Sequence, residues 1–171
     1  MFTDPLKNIK SLGLRETDIV ADLGAGTGFY SVAAGHIVSK GKVYAVEINK
    51  DYLATIKQKV RDAHVSNVEI IWGDIEKKGG TSLRDGIIDV AIASNVLFQV
   101  QDKDKFIQEI FRILKKGGKV LLIDWTETSL MAGQSIVSKK NALALFEKHG
   151  FVLDVEVNAG LHHYGMILIK K

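Results

Sequence analysis

The short spacing between the last two apolar segments of the chain limits how those segments can pair. FVLDVEV at 151–157 and YGMILIK at 164–170 both have the composition of strands, and only residues 158–163 lie between them. A crossover between parallel strands needs about a dozen residues or more. The two segments therefore predict an antiparallel hairpin.

Upstream of the hairpin, short apolar runs alternate with longer amphipathic stretches, which predicts a doubly wound, mostly parallel α/β sheet with helices on both faces. The predicted strands are 19–23, 42–48, 68–72, 87–94 and 119–125. The predicted helices are 28–39, 50–64 with Asn49 as its N-cap, a segment that ends at Lys115, Lys116 and Gly117, and 139–149. Residues 126–138 are predicted to be irregular.

Composition narrows the class of protein. A chain of 171 residues is predicted to form one domain, residues 1–171. It has no cysteine, which excludes disulfides, thiolate metal sites and cysteine nucleophiles. No apolar run reaches the ~18 residues of a membrane span, and the first residues do not resemble a signal peptide, so we expect a cytoplasmic protein. The net charge of +3 comes with dispersed lysines, which favours a solvated surface over a nucleic-acid stripe.

A glycine-rich loop follows the first predicted strand, in DIVADLGAGTGFY at 18–30. Gly24, Gly26 and Gly28 leave bare backbone against which a ligand can lie, and the next helix offers its unpaired N–H groups. The spacing G-x-G-x-G differs from the dinucleotide fingerprint G-x-G-x-x-G, because Phe29 stands where the third glycine would be. An NAD(P)-dependent oxidoreductase is therefore the weaker alternative.

Three acidic residues near strand ends suit a ligand that carries an adenosine and an amine. Asp22, just before the glycines, suits an amine or a positive charge better than a diphosphate. Glu47, at the end of the second strand, is placed to accept hydrogen bonds from ribose hydroxyls. Asp74, after the third strand, could accept from the exocyclic amine of a purine, and the N–H of Ile75 could donate to a ring nitrogen.

With these motifs, the sequence resembles the class I S-adenosylmethionine-dependent methyltransferases over nearly its whole length. DLGAGTG resembles the first motif of the family and VEINKDYL the second, while GDIEK resembles the turn that binds adenine. IIDVAIASNVLFQV and FIQEIFRILKKGGKVLLID resemble the later segments. The resemblance implies a seven-stranded sheet in the order 3-2-1-4-5-7-6, whose last strand is antiparallel, and S-adenosylmethionine as the cofactor.

The resemblance also implies which residues bind the cofactor. The loop would lie under the methionine and ribose portions, Asp22 would help to hold the amine, and Glu47 would bind both ribose hydroxyls. Ile48 would flank the adenine, Asp74 and Ile75 would recognise its edge, and Ser94 and Asn95 would offer backbone groups to the amine. The full cofactor-binding set is Asp22, Gly24, Ala25, Gly26, Gly28, Glu47, Ile48, Asp74, Ile75 and Asn95.

The methyl acceptor is expected beyond the carboxyl ends of the fourth and fifth strands, where the loop of the last hairpin also lies. This edge supplies the candidate acceptor-binding residues Phe98, Trp125, His162, His163 and Tyr164. No catalytic residue is assigned, because displacement at a sulfonium can rely on alignment alone. No metal site is predicted, since adjacent histidines in an extended segment point in opposite directions.

The acceptor itself is left open between two classes. Ser94-Asn95-Val96-Leu97 lacks the proline pair with which relatives methylate planar amines, and arsenite-methylating relatives need cysteine. These differences favour a small molecule. The N-terminal segment 1–17 is a short cap, so Phe2 to Leu14 and residues 126–138 are the expected cover. Such a site is open to RNA or protein, or is covered by a second subunit in a homodimer.

Besides a methyltransferase and an oxidoreductase, a binding module without transfer activity is the third functional alternative.

Overall fold

The computed structural model describes residues 5–127 and 136–171. The elements, in chain order, are α1 (Pro5–Lys10), β1 (Ile19–Leu23), α2 (Phe29–Ile37), β2 (Lys42–Glu47), α3 (Lys50–Asp62), β3 (Val68–Trp72), β4 (Ile88–Ser94), α4 (Lys103–Ile113), β5 (Leu114–Trp125), α5 (Lys139–Lys148), β6 (Phe151–Val157) and β7 (His163–Lys170). Asn49 caps α3, as predicted, because its side chain accepts a hydrogen bond from the N–H of Asp51.

The seven strands form one sheet in the order β3-β2-β1-β4-β5-β7-β6. The first five strands pair in parallel, and β7 runs antiparallel to both β5 and β6. The strand order and the terminal hairpin confirm the prediction. Because β7 lies between β5 and β6, its first residue, His163, pairs with Trp125 at the end of β5.

Each face of the sheet has its own hydrophobic core. Side chains alternate between the faces along a strand, so neighbouring residues join different cores. On one face, α1 and α2 contribute Ile9 and Ala34 to a core that also contains the strand residues Val20, Ile92 and Ile123. On the other face, α4 and α5 contribute Phe106 and Phe146 to a core that also contains the strand residues Ala91, Leu122 and Met166. The doubly wound arrangement is thus confirmed.

The N-terminal segment is anchored on α2, although no helix is predicted there from the sequence. Ile9 and Leu12 are buried in the core of the α2 face. Asn8 is buried too, and its Nδ2 donates to the hydroxyl of Tyr30 at 2.9 Å. Residues 1–4 and 128–135, which belong to the expected cover of the acceptor site, lie outside the described residues.

The boundary between α4 and β5 differs from the prediction. The helix ends at Ile113, and the strand begins at Leu114 rather than at 119. The sequence Lys115 to Gly118 does not form a separate turn after the helix, because Leu114 already pairs with Ile88 and the register then shifts before Val90 pairs with Lys119. An irregular pairing of this kind depends on the partner strand, which a local reading cannot include. Within the described residues, no helix is long and apolar enough to cross a membrane.

Candidate functional site

A cavity of about 950 Å³ lies at the carboxyl ends of β1, β2, β3 and β4. This is the edge at which open α/β sheets bind their ligands. Nine of the ten predicted cofactor-binding residues line it, all but Gly28: Asp22, Gly24, Ala25, Gly26, Glu47, Ile48, Asp74, Ile75 and Asn95. The strand ends therefore bring together residues that are spread over 74 positions of the sequence, from 22 to 95.

The glycine loop lies flat across the ends of β1 and β2. The N–H groups of Gly24 and Ala25 both donate to the carbonyl of Val46, at 2.9 and 3.0 Å. Gly24 has a φ of +70°, and a Cβ there would stand 2.6 Å from Cγ2 of Val96. Both the backbone conformation and the close approach of Val96 thus require glycine at this position.

Gly28 has a different position from the other loop glycines. It is the N-cap of α2 with a φ of +82°, and a Cβ there would stand 3.2 Å from two side-chain carbons of Ile56. Gly28 therefore lets the start of α2 pack closely on α3, and it does not line the cavity. Its predicted contact with a cofactor stays a prediction.

Glu47 is held in place by two backbone groups. Its Oε2 accepts from the N–H of Gly26 and its Oε1 from the N–H of Asn49, both at 2.8 Å. The residue is only 7% exposed. Each carboxylate oxygen can accept a second hydrogen bond. The glycine loop and the end of β2 thus hold a carboxylate that can still accept from a diol.

Asp22 is a buried acid below the loop. Its Oδ2 accepts from the hydroxyl of Ser31 in α2 at 2.6 Å, and the residue is 2% exposed. Burial raises the pKa of Asp22 to about 6, although the hydrogen bonds from Ser31 partly oppose this rise. The hydrogen bond from Ser31 joins α2 to β1 and holds the Asp22 carboxyl at the bottom of the cavity. An ammonium group bound beside it would favour the ionised form of this carboxyl.

The turn after β3 presents a donor and an acceptor side by side. Oδ1 of Asp74 accepts from the N–H of Glu76 at 3.0 Å, and Oδ2 lies 3.1 Å from Nζ of Lys77. Among the described residues, nothing accepts a hydrogen bond from the N–H of Ile75. A carboxylate next to an unpaired N–H is the pairing that the edge of an adenine requires.

A buried ion pair on α4 holds this turn from behind. Glu109 is 1% exposed, and its carboxylate accepts from the N–H of Gly79 at 2.9 Å and from the hydroxyl of Thr81 at 2.6 Å. Arg112 donates to both of its oxygens, at 2.8 and 2.7 Å. Burial opposes the ionisation of Glu109, but these hydrogen bonds outweigh it and lower its pKa to about 2.

The segment Gly79–Thr81, which Glu109 holds, is joined to the turn after β3 by one backbone hydrogen bond. The carbonyl of Gly80, between Gly79 and Thr81, accepts from the N–H of Asp74 at 3.1 Å. Glu76, which lines the cavity, accepts from the N–H groups of Gln101 and Asp102 just before α4, both at 2.9 Å. The turn is therefore attached near both ends of α4, an attachment that sequence reasoning missed.

Asn95 follows β4 in a left-handed conformation, with a φ of +56°. Its N–H donates to the carbonyl of Ile123 at 2.8 Å, and its own carbonyl accepts from Nε2 of Gln99. A left-handed residue other than glycine is costly, and such residues are often found at functional sites. The left-handed conformation of Asn95 therefore turns the chain at the end of β4. The residue lines the cavity on one side and is bonded to β5 on the other.

The five predicted acceptor-binding residues do not line the cavity but lie beside it. Trp125 and His163 stack with ring centroids 3.9 Å apart, and Tyr164 follows on β7 opposite Asp124. His162 comes just before β7, where its carbonyl accepts from the N–H of Thr126. Phe98 donates from its N–H to Oδ2 of Asp124 at 3.2 Å. The structure thus brings them together around the end of β5 and the start of β7.

Asp124 is a second buried acid, at the end of β5. It is 1% exposed, and it also accepts from the N–H of Trp125 at 2.7 Å. Burial raises its pKa to about 6, against the lowering effect of these backbone hydrogen bonds. Tyr30 and Tyr52 also line the cavity, although no sequence motif assigns them to the site. Their positions depend on helix packing, which no local motif encodes.

Comparisons with known proteins agree with this geometry. A family model described as a methyltransferase domain matches residues 14–160. The ubiquinone/menaquinone biosynthesis C-methyltransferase UbiE of Vibrio vulnificus is 34% identical over 117 residues, which are 67% of this chain and 44% of the relative. UbiE of Shewanella woodyi is 34% identical over 121 residues, 70% of this chain and 47% of the relative. The chain spans less than half the length of these curated relatives.

A solved structure is similar over almost the whole chain. The SAM-dependent methyltransferase from Aquifex aeolicus superimposes with a TM-score of 0.89 at 26% identity, covering 99% of this chain and 91% of the other. The match includes both the hairpin and the strand order, so the likeness extends beyond the glycine loop.

Proposed function

The chain belongs to the family of S-adenosylmethionine-dependent methyltransferase domains, and we propose that it transfers the methyl group of this cofactor to a small molecule. One observation carries the proposal. The cavity places the glycine loop, the Glu47 carboxylate and the Asp74–Ile75 turn along one edge, in the order that a methionine, a ribose and an adenine require. The oxidoreductase alternative has no support from the comparisons.

The described residues fit the cofactor portion by portion. Glu47 has acceptor capacity for both ribose hydroxyls, and Asp74 with the N–H of Ile75 fits the edge of adenine. The side chain of Ile48 is exposed at the cavity and can cover the face of the base. Asp22 is placed to balance the charge of the methionine ammonium group, and Asn95 to orient it.

When bound, S-adenosylmethionine supplies a methyl group on a sulfonium centre, which already makes it reactive. The protein then has to hold the acceptor in line with the methyl group and to exclude water. Asp22, Gly24 and Asn95 would hold the methionine end, and β5 and β7 lie beyond β4 on that side of the cavity. We therefore assign Phe98, Trp125, His162, His163 and Tyr164 to the acceptor side.

A small-molecule acceptor is supported by the curated relatives. Their names place them in ubiquinone and menaquinone biosynthesis, where the acceptor is a small molecule. The identity of 34% covers only part of each relative, so the acceptor of this chain is a separate question from theirs. A macromolecular acceptor and a homodimer stay predictions.

Titration calorimetry with S-adenosylhomocysteine tests the cofactor site. We expect the wild-type protein to bind, and Glu47→Gln to weaken binding by about 10- to 100-fold, since a hydrogen bond to a charged group contributes about 1.5–3 kcal/mol. Glu69→Gln, on the exposed face of β3, is the matched control and should bind normally. Equal affinity of Glu47→Gln and Glu69→Gln would contradict the assignment, and binding without transfer to any small acceptor would favour a binding module.

A further inference from the structure

The two outer strands of the sheet, β3 and β6, differ in how their free edges are protected. β6 contains the acidic residues Asp154 and Glu156, and its register with β7 shifts between Leu153 and Val155. Charges and irregular pairing of this kind keep an outer strand from pairing with another chain. β3 pairs with β2 over all five of its residues without a shift, and it contains neither proline nor lysine. Of the two edges, that of β3 therefore lacks this protection.

The side chains of β3 are mostly apolar although the strand lies at the rim of the sheet. Val68, Ile70 and Trp72 alternate onto one face, and Trp72 is 60% exposed. The indole N–H of Trp72 donates to the carbonyl of Ile48 at 2.9 Å, which fixes the ring beside the strand. A regular, exposed and apolar outer strand is a surface for pairing with another strand.

The backbone of β3 has three residues whose polar groups point away from β2. The carbonyl of Asn67 and the N–H of Gly73, on either side of the strand, both bond to β2. Because the backbone direction alternates along a strand, the N–H and C=O groups of Val68, Ile70 and Trp72 point to the free edge. Within the described ranges, no group from outside the sheet bonds to these backbone atoms.

These three residues complement themselves across a two-fold axis. Two copies related by such an axis present the same strand to each other, and the two strands run antiparallel. With the axis at Ile70, the N–H and C=O of Ile70 bond to those of Ile70 in the second copy, and Val68 bonds in the same way to Trp72 of the second copy. About six backbone hydrogen bonds result, and the facing side chains form aromatic–β-branched pairs, which stabilise sheets.

The charges beside β3 also suit a second copy. A groove of about 470 Å³ lies along the strand, and its lining includes Glu69, Ile71 and Arg84. Arg84 is exposed and has no carboxylate partner in the part of the chain that the structure describes. With the axis at Ile70, Glu69 of the second copy lies opposite Ile71, on the side of this groove. Each copy therefore brings a carboxylate to the groove in which the other has an unpaired arginine.

The same arrangement leaves both cofactor cavities open. The cavity lies at the carboxyl ends of the parallel strands. Because the two β3 strands run in opposite directions, the cavities of the two copies open at opposite edges of the joined sheet. Pairing through β3 is thus compatible with a ligand in each copy.

We propose that the protein forms a homodimer in which the β3 strands of two copies pair antiparallel about Ile70, so that two seven-stranded sheets join into one. The occupant of the edge is a second copy of this chain rather than a strand of another protein, because the hydrogen-bonding groups and the charges of this edge complement themselves. The proposal is independent of the proposed function.

Sedimentation velocity on the full chain, at about 1 to 200 µM, tests whether the dimer forms. We expect the 18.8 kDa monomer to be replaced by a species of twice this mass as the concentration rises. Ile70→Lys places two like charges opposite each other at the axis, and it should raise the dissociation constant of the dimer at least about tenfold. Val155→Lys, at an exposed position of β6, is the matched control and should sediment like the wild type.

A disulfide tests the register, because the chain has no cysteine of its own. The Cα atoms of a hydrogen-bonded antiparallel pair are about 5.5 Å apart, which a disulfide can bridge, whereas diagonal neighbours are about 7–8 Å apart. Ile70→Cys should therefore form a covalent dimer in oxidised glutathione at least about tenfold faster than Glu69→Cys, whose copy is a diagonal neighbour. Val155→Cys on β6 should stay monomeric.

Three results would overturn the proposal: a monomer over the whole concentration range, a dimer that Ile70→Lys does not weaken, or equal rates of disulfide formation in Ile70→Cys and Glu69→Cys. The first would leave the edge to a strand of another protein, and the other two would place the interface elsewhere. Circular dichroism of Ile70→Lys separates loss of the dimer from loss of the fold. A wild-type protein that dimerises but does not bind S-adenosylhomocysteine would contradict the proposed function and not the dimer.

Discussion

At the scale of single residues, the glycine loop shows what a local motif can and cannot specify. The need for glycine at position 24 follows from the strand-to-helix turn, and the structure adds the contact with Val96. For Gly28 the same motif predicts a ligand contact, which stays a prediction, and the structure adds a close approach of Ile56 that the motif does not indicate. That approach depends on α3, which lies far from the loop in the sequence.

The first prediction compares Gly24→Ala with Gly13→Ala. Both residues have a positive φ, but a Cβ at Gly13 would meet nothing within 4 Å. We expect Gly13→Ala to lose about 1 kcal/mol of unfolding free energy from backbone strain, and Gly24→Ala to lose about 2–4 kcal/mol because Val96 must also move. Urea unfolding measures both.

The double variant Gly24→Ala/Val96→Ala is the control for the contact, and it should recover only the steric part of the loss. If Gly24→Ala and Gly13→Ala were equally stable, the contact with Val96 would carry no energetic weight.

At the scale of elements, α4 contributes to a site that it does not line. Glu109 holds Gly79 and Thr81, and Gly80 between them holds the N–H of Asp74. In the sequence, Glu109 is an acidic residue in an amphipathic helix, and no motif singles it out. Its burial depends on a loop 28 residues earlier in the chain, so no local pattern could indicate it.

We predict that Glu109→Gln weakens S-adenosylhomocysteine about tenfold by loosening the Asp74 turn, through the loss of charged hydrogen bonds. The readout specific to positioning is the preference for S-adenosylhomocysteine over S-inosylhomocysteine, whose base has a carbonyl in place of the amine. We expect this preference to fall in both Glu109→Gln and Asp74→Asn.

A double-mutant cycle provides the control for this element. Glu109→Gln and Asp74→Asn should be coupled by about 1 kcal/mol, whereas Glu109→Gln and Glu47→Gln, which share no partner, should be additive within about 0.5 kcal/mol. Equal coupling in the two cycles would mean that Glu109 only stabilises the fold.

At the scale of the whole molecule, apolar periodicity and loop lengths predict the layers and the terminal hairpin, whereas the strand order is implied by the family resemblance. The attachment of α1 to α2 could not be predicted, since the Asn8–Tyr30 hydrogen bond joins residues with no shared motif. The buried polar atoms without hydrogen-bond partners at the end of β5 and the start of β7 could not be predicted either, because burial and hydrogen bonding are properties of the assembled sheet.

Two buried acids make the stability of the molecule depend on pH. The folded pKa of Asp22 and of Asp124 is about 6, above the usual value of 3.8, so the folded state binds their protons more tightly than the unfolded state. Each group therefore adds stability as the pH falls from 7 to 5, by about 1 kcal/mol. Glu109, whose pKa is about 2, stays ionised throughout this range.

Urea unfolding at pH 7 and pH 5 tests this expectation against the variant Asp22→Asn/Asp124→Asn. His163, whose pKa is lowered, acts in the opposite direction in both proteins, so the difference between the two proteins isolates the acids. We expect the wild type to gain about 2 kcal/mol relative to the variant. Parallel pH dependence in both proteins would contradict the raised pKa values.

The place of β7 in the sheet also has a consequence for how the molecule is made. The ribosome produces β5 well before β7, yet β7 is the strand that pairs with the open side of β5. Until Lys170 has left the exit tunnel, β5 has one bare edge, and an unpaired edge invites contact with other nascent chains. The strand of this sheet that comes last in the chain order thus fills the place between β5 and β6, and it brings His163 next to Trp125 at the end of β5.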